Sequence, residues 1–125
     1  MENILIVDDD ENLCSVLSEE LEEIGYFTSY VTGAEEAVKF VTDGNKIDLI
    51  LLDLKMPDKD GFFVLKHLKE NNIKMKVIVL TAYADVKSAI DSARLGATDF
   101  ISKPYDLDEL IITIRKVLQK EDNED

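Results

Sequence analysis

Two short runs of branched apolar residues, Ile4-Leu5-Ile6-Val7 and Leu49-Ile50-Leu51-Leu52, stop abruptly at aspartate: Asp8-Asp9-Asp10 after the first and Asp53 after the second. Runs of this length and composition, bounded by polar clusters, read as strands buried on both faces of a parallel sheet. Their carboxylates then stand at strand carboxyl ends, the edge where open α/β sheets place their ligands. Four carboxylates converging on one crevice raise one another's pKa, and a hard divalent cation with oxygen ligands relieves the repulsion. The pattern therefore predicts a Mg²⁺ site.

The rest of the chain extends this pair into five strand-then-helix repeats. Leu13, Leu17, Leu21 and Ile24 recur at helical spacing with glutamates between them, and Gly25 follows as a stop. Phe27 to Val31 reads as a strand, and Ala34, Ala37, Val38 and Val41 mark a helix ending near Gly44. Asp48 to Asp53 is the third strand, residues 56 to 61 have the Pro, Asp and Gly content of a loop, and Phe63 to Lys69 is helical. Val77 to Thr81 and Thr98 to Ser102 complete the strands. Val86, Ala89, Ile90 and Ala93 form a helix before Gly96, and Leu107 to Leu118 form the last one after Pro104. Such alternation predicts an α/β, doubly wound three-layer sandwich with a parallel sheet and helices on both faces. Residues 1–120 read as one domain, and 121–125 as a frayed acidic tail.

With 27 acidic against 14 basic residues, the net charge of −13 repels nucleic-acid phosphates and anionic lipid. No apolar stretch approaches the length of a membrane span, and the first residues lead into a strand rather than a signal peptide, which points to the cytoplasm. The single cysteine, Cys14, excludes an internal disulfide and fits a reducing compartment; within the first helix's apolar pattern it reads as a packing residue.

The same repeats bring Asp9, Asp53, Thr81 and Lys103 to one sheet edge. Asp9 and Asp53 offer anionic oxygen to Mg²⁺, with Asp8 reaching it directly or through water. Thr81 offers a hydroxyl, and Lys103 a mobile positive charge suited to an oxyanion. Together they make a receptacle for a phosphoryl group, and a carboxylate inside it can be the nucleophile. Asp53 is the choice, because it ends a buried run and precedes a loop that lets a donor approach.

Ile-Val-Asp8-Asp9-Asp10, Leu-Leu-Asp53-Leu-Lys-Met-Pro57, Thr81-Ala82 and Ser-Lys103-Pro104 resemble, in that order, the motifs of bacterial response-regulator receiver domains. The resemblance covers essentially the whole chain. It implies a five-stranded sheet of order 2-1-3-4-5 and transfer of a phosphoryl group from a sensor histidine kinase or phosphotransfer protein onto Asp53. It further implies Asp8, Asp9, Asp53 and the Lys55 carbonyl around Mg²⁺, Thr81 and Lys103 as phosphate-sensing groups, Phe100 as a switch aromatic, and a cis peptide before Pro104. A remodelled face of fourth helix, fifth strand and last helix would control an effector protein or fused effector domain, with dimerisation on phosphorylation as an option. Lys55 and Tyr83, two residues beyond Asp53 and Thr81, are large enough to obstruct or order an attacking water, which predicts slow self-dephosphorylation. That pairing is similar to stand-alone sporulation-phosphorelay receivers, whereas the segment from Gly96 to Pro104 resembles receivers fused to nitrogen-regulation activators.

Rival readings fare worse. His67 has no second histidine or cysteine to make a transition-metal site and reads as a boundary residue. A calcium loop around Asp58-Lys59-Asp60-Gly61 would need carboxylates where Met56 and His67 stand. A flavodoxin-like carrier needs a phosphate-cradling loop where Asp8-Asp9-Asp10 would repel phosphate. An aspartate-nucleophile phosphohydrolase has a family pattern resembling Asp-x-Asp, against Asp53-Leu54-Lys55 here, and this sequence shows no cap insertion to enclose a substrate.

Overall fold

The structure is a computed structural model that describes residues 1–120; the expected acidic tail at 121–125 lies outside the described residues. Five strand–helix units follow one another: β1 (Asn3–Val7), α1 (Glu11–Glu23), β2 (Phe27–Val31), α2 (Ala34–Thr42), β3 (Leu49–Leu52), α3 (Gly61–Glu70), β4 (Lys76–Thr81), α4 (Val86–Arg94), β5 (Asp99–Ser102) and α5 (Leu107–Gln119). All strand pairs are parallel, in the order β2-β1-β3-β4-β5. The alternation in the sequence therefore produces the doubly wound sandwich it predicts.

Side-chain alternation along the strands divides the core into two layers. Ile4, Ile6, Leu49, Leu51, Ile78 and Leu80 pack under α1 and α5, against Cys14, Leu17, Leu21, Leu110, Ile114 and Val117. Leu5, Val7, Ile50, Leu52, Val77 and Val79 pack on the other face, against Ala34 and Ala37 of α2 and Val64, Leu65 and Leu68 of α3. β1 from Ile4 and all of β3 are buried, as their unbroken apolar runs require; β2, at the sheet edge, leaves Phe27 59% exposed.

Four of the aspartates sit at helix starts. Asp10, Asp60, Asp85 and Asp106 each accept the N–H of the residue three positions on, at 3.1, 3.2, 2.6 and 3.2 Å. A carboxylate there satisfies an orphan donor and complements the positive end of the helix dipole. Gly25 and Gly96, with φ of 109° and 101°, end α1 and α4 in the left-handed region that glycine enters without a Cβ penalty.

Candidate functional site

Backbone hydrogen bonds continue past the strands and fix the residues that follow them. Asp8 N–H donates to Val31 O at 3.2 Å, Asp53 N–H to Val7 O at 2.9 Å, and Lys103 N–H to Thr81 O at 2.9 Å. Asp8, Asp53 and Thr81 are thereby buried at 2, 6 and 0% exposure, while Asp9 stays exposed. One carboxylate oxygen from each of Asp8, Asp9 and Asp53 lies within 4.8 Å of the others. Lys103 reaches in from β5: its Nζ is 2.6 Å from Asp8 Oδ2 and 3.3 Å from Asp53 Oδ2. The four predicted groups, Asp8, Asp9, Asp53 and Lys103, thus meet at the carboxyl edge.

Burial is the largest single influence on each member of this pair, and it sets the net direction only for Asp8. It pushes the Asp8 carboxyl above its usual value, further than the Lys103 hydrogen bond and the Asp10 N–H, 2.9 Å from Oδ1, pull it back. For Lys103 burial acts downward, but the hydrogen bond to Asp8 and the charges of Asp53 and Asp8 outweigh it, so the ammonium is held above its usual value. Three carboxylates facing one ammonium leave two negative charges uncompensated. A donor set of hard anionic oxygens with that surplus fits Mg²⁺ in both chemistry and charge.

The fourth carboxylate of the opening motif goes elsewhere. Asp10 is the N-cap of α1, its Oδ1 accepting Leu13 N–H, and it is not among the clustered oxygens. Cys14 is a packing residue as expected: fully buried, its Sγ 3.4 Å from Asp8 O, with burial pushing the thiol up to about 11. His67 is half-buried, and its Nε2 has no hydrogen-bond partner among the described residues.

Thr81 Oγ1 accepts the Tyr83 N–H at 3.2 Å, which leaves its own proton free to be donated. Thr81 shares a strand face with Val77 and Val79, and Val79 is the register partner of Phe100, so Thr81 and Phe100 are on one face of the sheet. Phe100 is half-buried against that layer. Lys55 N–H approaches Asp53 Oδ1 at 3.3 Å, and its ammonium stands 5.2 Å from the centre of the Tyr83 ring, joining the β3–α3 and β4–α4 loops. The Lys103–Pro104 peptide bond is cis. One contributor escapes sequence reasoning. A Cβ on Gly61 would stand 2.4 Å from Asp53 O and 2.8 Å from Leu54 Cα, so only glycine lets α3 start this close to the Asp53 backbone.

Known proteins resemble this chain in sequence and in fold. Residues 4–115 match the family described as the response regulator receiver domain. The chain belongs to that family. Regulatory protein AtoC of Escherichia coli is 37% identical over 93% of this chain, which spans a quarter (25%) of its length. Sporulation initiation phosphotransferase F of Bacillus subtilis is 36% identical, with 98% of each chain covered. The response regulator TrrA of Thermotoga maritima, solved in complex with Mg²⁺ and BeF, superposes with a TM-score of 0.83 at 36% identity, over 94% of this chain and 99% of that one. As a receiver domain, the chain serves phosphorylation-driven two-component signalling. The receiver exposes Tyr83 in the β4–α4 loop, Val86 and Ile90 on α4, and Ile112 on α5. No helix among the described residues is long and apolar enough to cross a membrane.

Proposed function

We propose that residues 1–120 form a receiver unit, acting in the cytoplasm, in which Asp53 accepts a phosphoryl group from a sensor histidine kinase or a histidine phosphotransfer protein. The observation that carries this reading is the buried Asp53 carboxylate, 3.3 Å from the Lys103 ammonium and clustered with Asp8 and Asp9. An Asp53 oxygen attacks the phosphorus of phosphohistidine; the new O–P bond replaces the N–P bond, and the imidazole nitrogen leaves with the electron pair. Lys103, tethered between Asp8 and Asp53, is positioned to hold charge on the transferring oxygens. Asp8, Asp9, Asp53 and the Lys55 carbonyl would hold Mg²⁺, which when bound supplies charge neutralisation on the phosphoryl oxygens. An apolar cavity of about 400 Å³ lined by Leu13, Ala82, Lys103, Pro104 and Tyr105 adjoins the site and suits an approaching donor.

The acyl phosphate adds acceptor oxygens within the site. Thr81, whose hydroxyl proton is uncommitted, turns toward them and gives up the Tyr83 N–H. Phe100, on the same sheet face, follows, and the surface of α4, β5 and α5 shifts its population toward a form that binds an effector protein, a fused effector domain or a second receiver. Catalysis is limited to the domain's own phosphorylation and dephosphorylation. The Lys55–Tyr83 contact covers the approach to Asp53 and slows hydrolysis; faster loss of phosphate from Lys55→Ala/Tyr83→Ala than from wild type is expected, and slower loss would count against it.

Intact mass after incubation with acetyl phosphate tests the central step. One added phosphoryl group is expected on wild type with Mg²⁺, and none without Mg²⁺ or on Asp53→Asn. An unmodified wild type that also fails to bind beryllofluoride would overturn the assignment.

A further inference from the structure

The opposite edge of the sheet carries a concavity of contrary charge. A cavity of about 360 Å³ opens where the amino ends of β4 and β5 meet the carboxyl ends of α3, α4 and α5. Of the 14 basic residues in this strongly acidic chain, five line it: Lys69, Lys74, Lys76, Arg94 and Lys120. No acidic residue lines it among the described residues.

Helix capping accounts for part of this charge. Lys69 Nζ donates to Arg94 O at 2.9 Å at the end of α4, and Lys76 Nζ to Leu118 O and Lys120 O at 3.2 and 2.5 Å at the end of α5. Each helix carboxyl terminus carries roughly half a negative charge, and Lys69 and Lys76 already meet two of the three that converge here. The charged groups of Lys74, Arg94 and Lys120 are exposed and have no hydrogen bond or ion pair with any described residue. They form a cationic rim above an apolar floor of Leu65, Leu68, Ile73 and Val77. The volume falls within the range of about 300–1,000 Å³ usual for small-ligand sites. Val77 and Thr81 are four residues apart on β4, which separates this cavity from the phosphoacceptor edge by about 13 Å at roughly 3.3 Å per residue.

We propose that this cavity binds a small phosphate-bearing organic molecule, of the size of a nucleoside diphosphate. Its phosphates lie against Lys74, Arg94 and Lys120, where guanidinium and ammonium groups donate charge-assisted hydrogen bonds. Its apolar body rests on the floor. The site is separate from Asp53, and its occupancy needs neither phosphorylation nor Mg²⁺.

A residue-resolved amide NMR titration of the full chain in EDTA tests this, with ADP, adenosine and inorganic pyrophosphate as probes. Saturable shifts are expected at Ile73, Leu95, Gly96 and Thr98, with ADP binding about tenfold or more tightly than adenosine. Lys74→Glu/Arg94→Glu should weaken ADP by a similar factor while the amide pattern of β1 and α1 stays unchanged, which separates lost binding from lost fold. Shifts confined to the Asp53 edge, an unaffected double variant, or no saturation would overturn the proposal. Pyrophosphate binding as tightly as ADP would remove the organic body from it. Binding that appears only when Glu121, Asp122, Glu124 and Asp125 are changed to amides would also overturn it, since the rim would then serve the chain's own carboxylates.

Discussion

Helices α1 and α4 are built on similar periodicity and are held in opposite ways. α1 drives Cys14, Leu17 and Leu21 into the core at 0% exposure, whereas α4 buries only Ser92 and leaves Val86 and Ile90 74 and 46% exposed. What fixes α4 is polar: the Asp85 cap, the Lys69 ammonium on Arg94 O, and an exposed Lys87–Asp91 pair at 2.8 Å. An exposed pair screened by solvent contributes little, while burying a leucine side chain contributes roughly 1.5–3 kcal/mol. A helix that buries so little side-chain surface is held mainly by these polar contacts, so the proposed action of a phosphoryl group at the neighbouring strand ends meets less packing free energy at α4 than at α1.

The strongest way to break this contrast is truncation on each helix. Leu17→Ala should cost about 2–5 kcal/mol, the range for emptying a core leucine site, whereas Ile90→Ala should stay within about 0.5 kcal/mol. Urea denaturation of both variants checks it; comparable losses would mean that α4 is packed as firmly as α1.

α3 shows a third form of anchoring, by backbone. Gly61→Ala puts a methyl 2.4 Å from a carbonyl oxygen that a rigid central strand cannot move aside. The expected loss is about 1–3 kcal/mol, as for other overpacked sites, together with slower phosphorylation from acetyl phosphate because the Asp53 backbone must give. Unchanged stability and labelling would show that the β3–α3 junction is pliable.

These differences mark how far sequence reads into structure. The parallel strand–helix alternation and the meeting of Asp8, Asp9, Asp53 and Lys103 are legible because buried parallel strands need continuous apolar runs, and their ends declare themselves by the first charge; the strand order 2-1-3-4-5 is implied only by the resemblance to receiver domains. Asp10 is not separable from its neighbours by composition, since a capping carboxylate and a metal ligand are the same group; only the helix direction decides. Gly61 looks like an ordinary loop glycine, because its necessity arises from a tertiary approach to Asp53 O. The cationic rim is dispersed between Lys74 and Lys120 in a chain of opposite net charge, and only the convergence of three helix ends assembles it.

A smaller effect sharpens the comparison from the α1 side. Tyr105 OH donates to Glu20 Oε1 at 2.8 Å, tying the β5–α5 loop to α1, and burial followed by that hydrogen bond pushes the phenol from 10.0 up to about 12. The folded state holds this proton more tightly than the unfolded chain. Its stabilisation is therefore complete below pH 10.0 and is lost as pH rises through about 12. Tyr105→Phe should cost about 0.5–1.5 kcal/mol at neutral pH and flatten the alkaline fall in the urea midpoint. An identical fall in the variant would assign it to other groups.

The smallest effect is local to α4. Asp85 is exposed, and its hydrogen bonds to the Ser88 backbone and side chain hold its carboxyl below the usual 3.8. A depressed folded value means the cap contributes fully above pH 3.8 and fades as pH falls through the lower folded value. Because α4 adds little to the core, Asp85→Ala should leave the global unfolding midpoint unchanged and speed hydrogen exchange of the first-turn amides of α4, leaving those of α1 protected. The difference between wild type and variant should shrink once the carboxylate is protonated. Equal protection of α1 and α4 in the wild type would break the comparison at its root, because a helix that opens only with the whole domain has no independent position for phosphorylation to change.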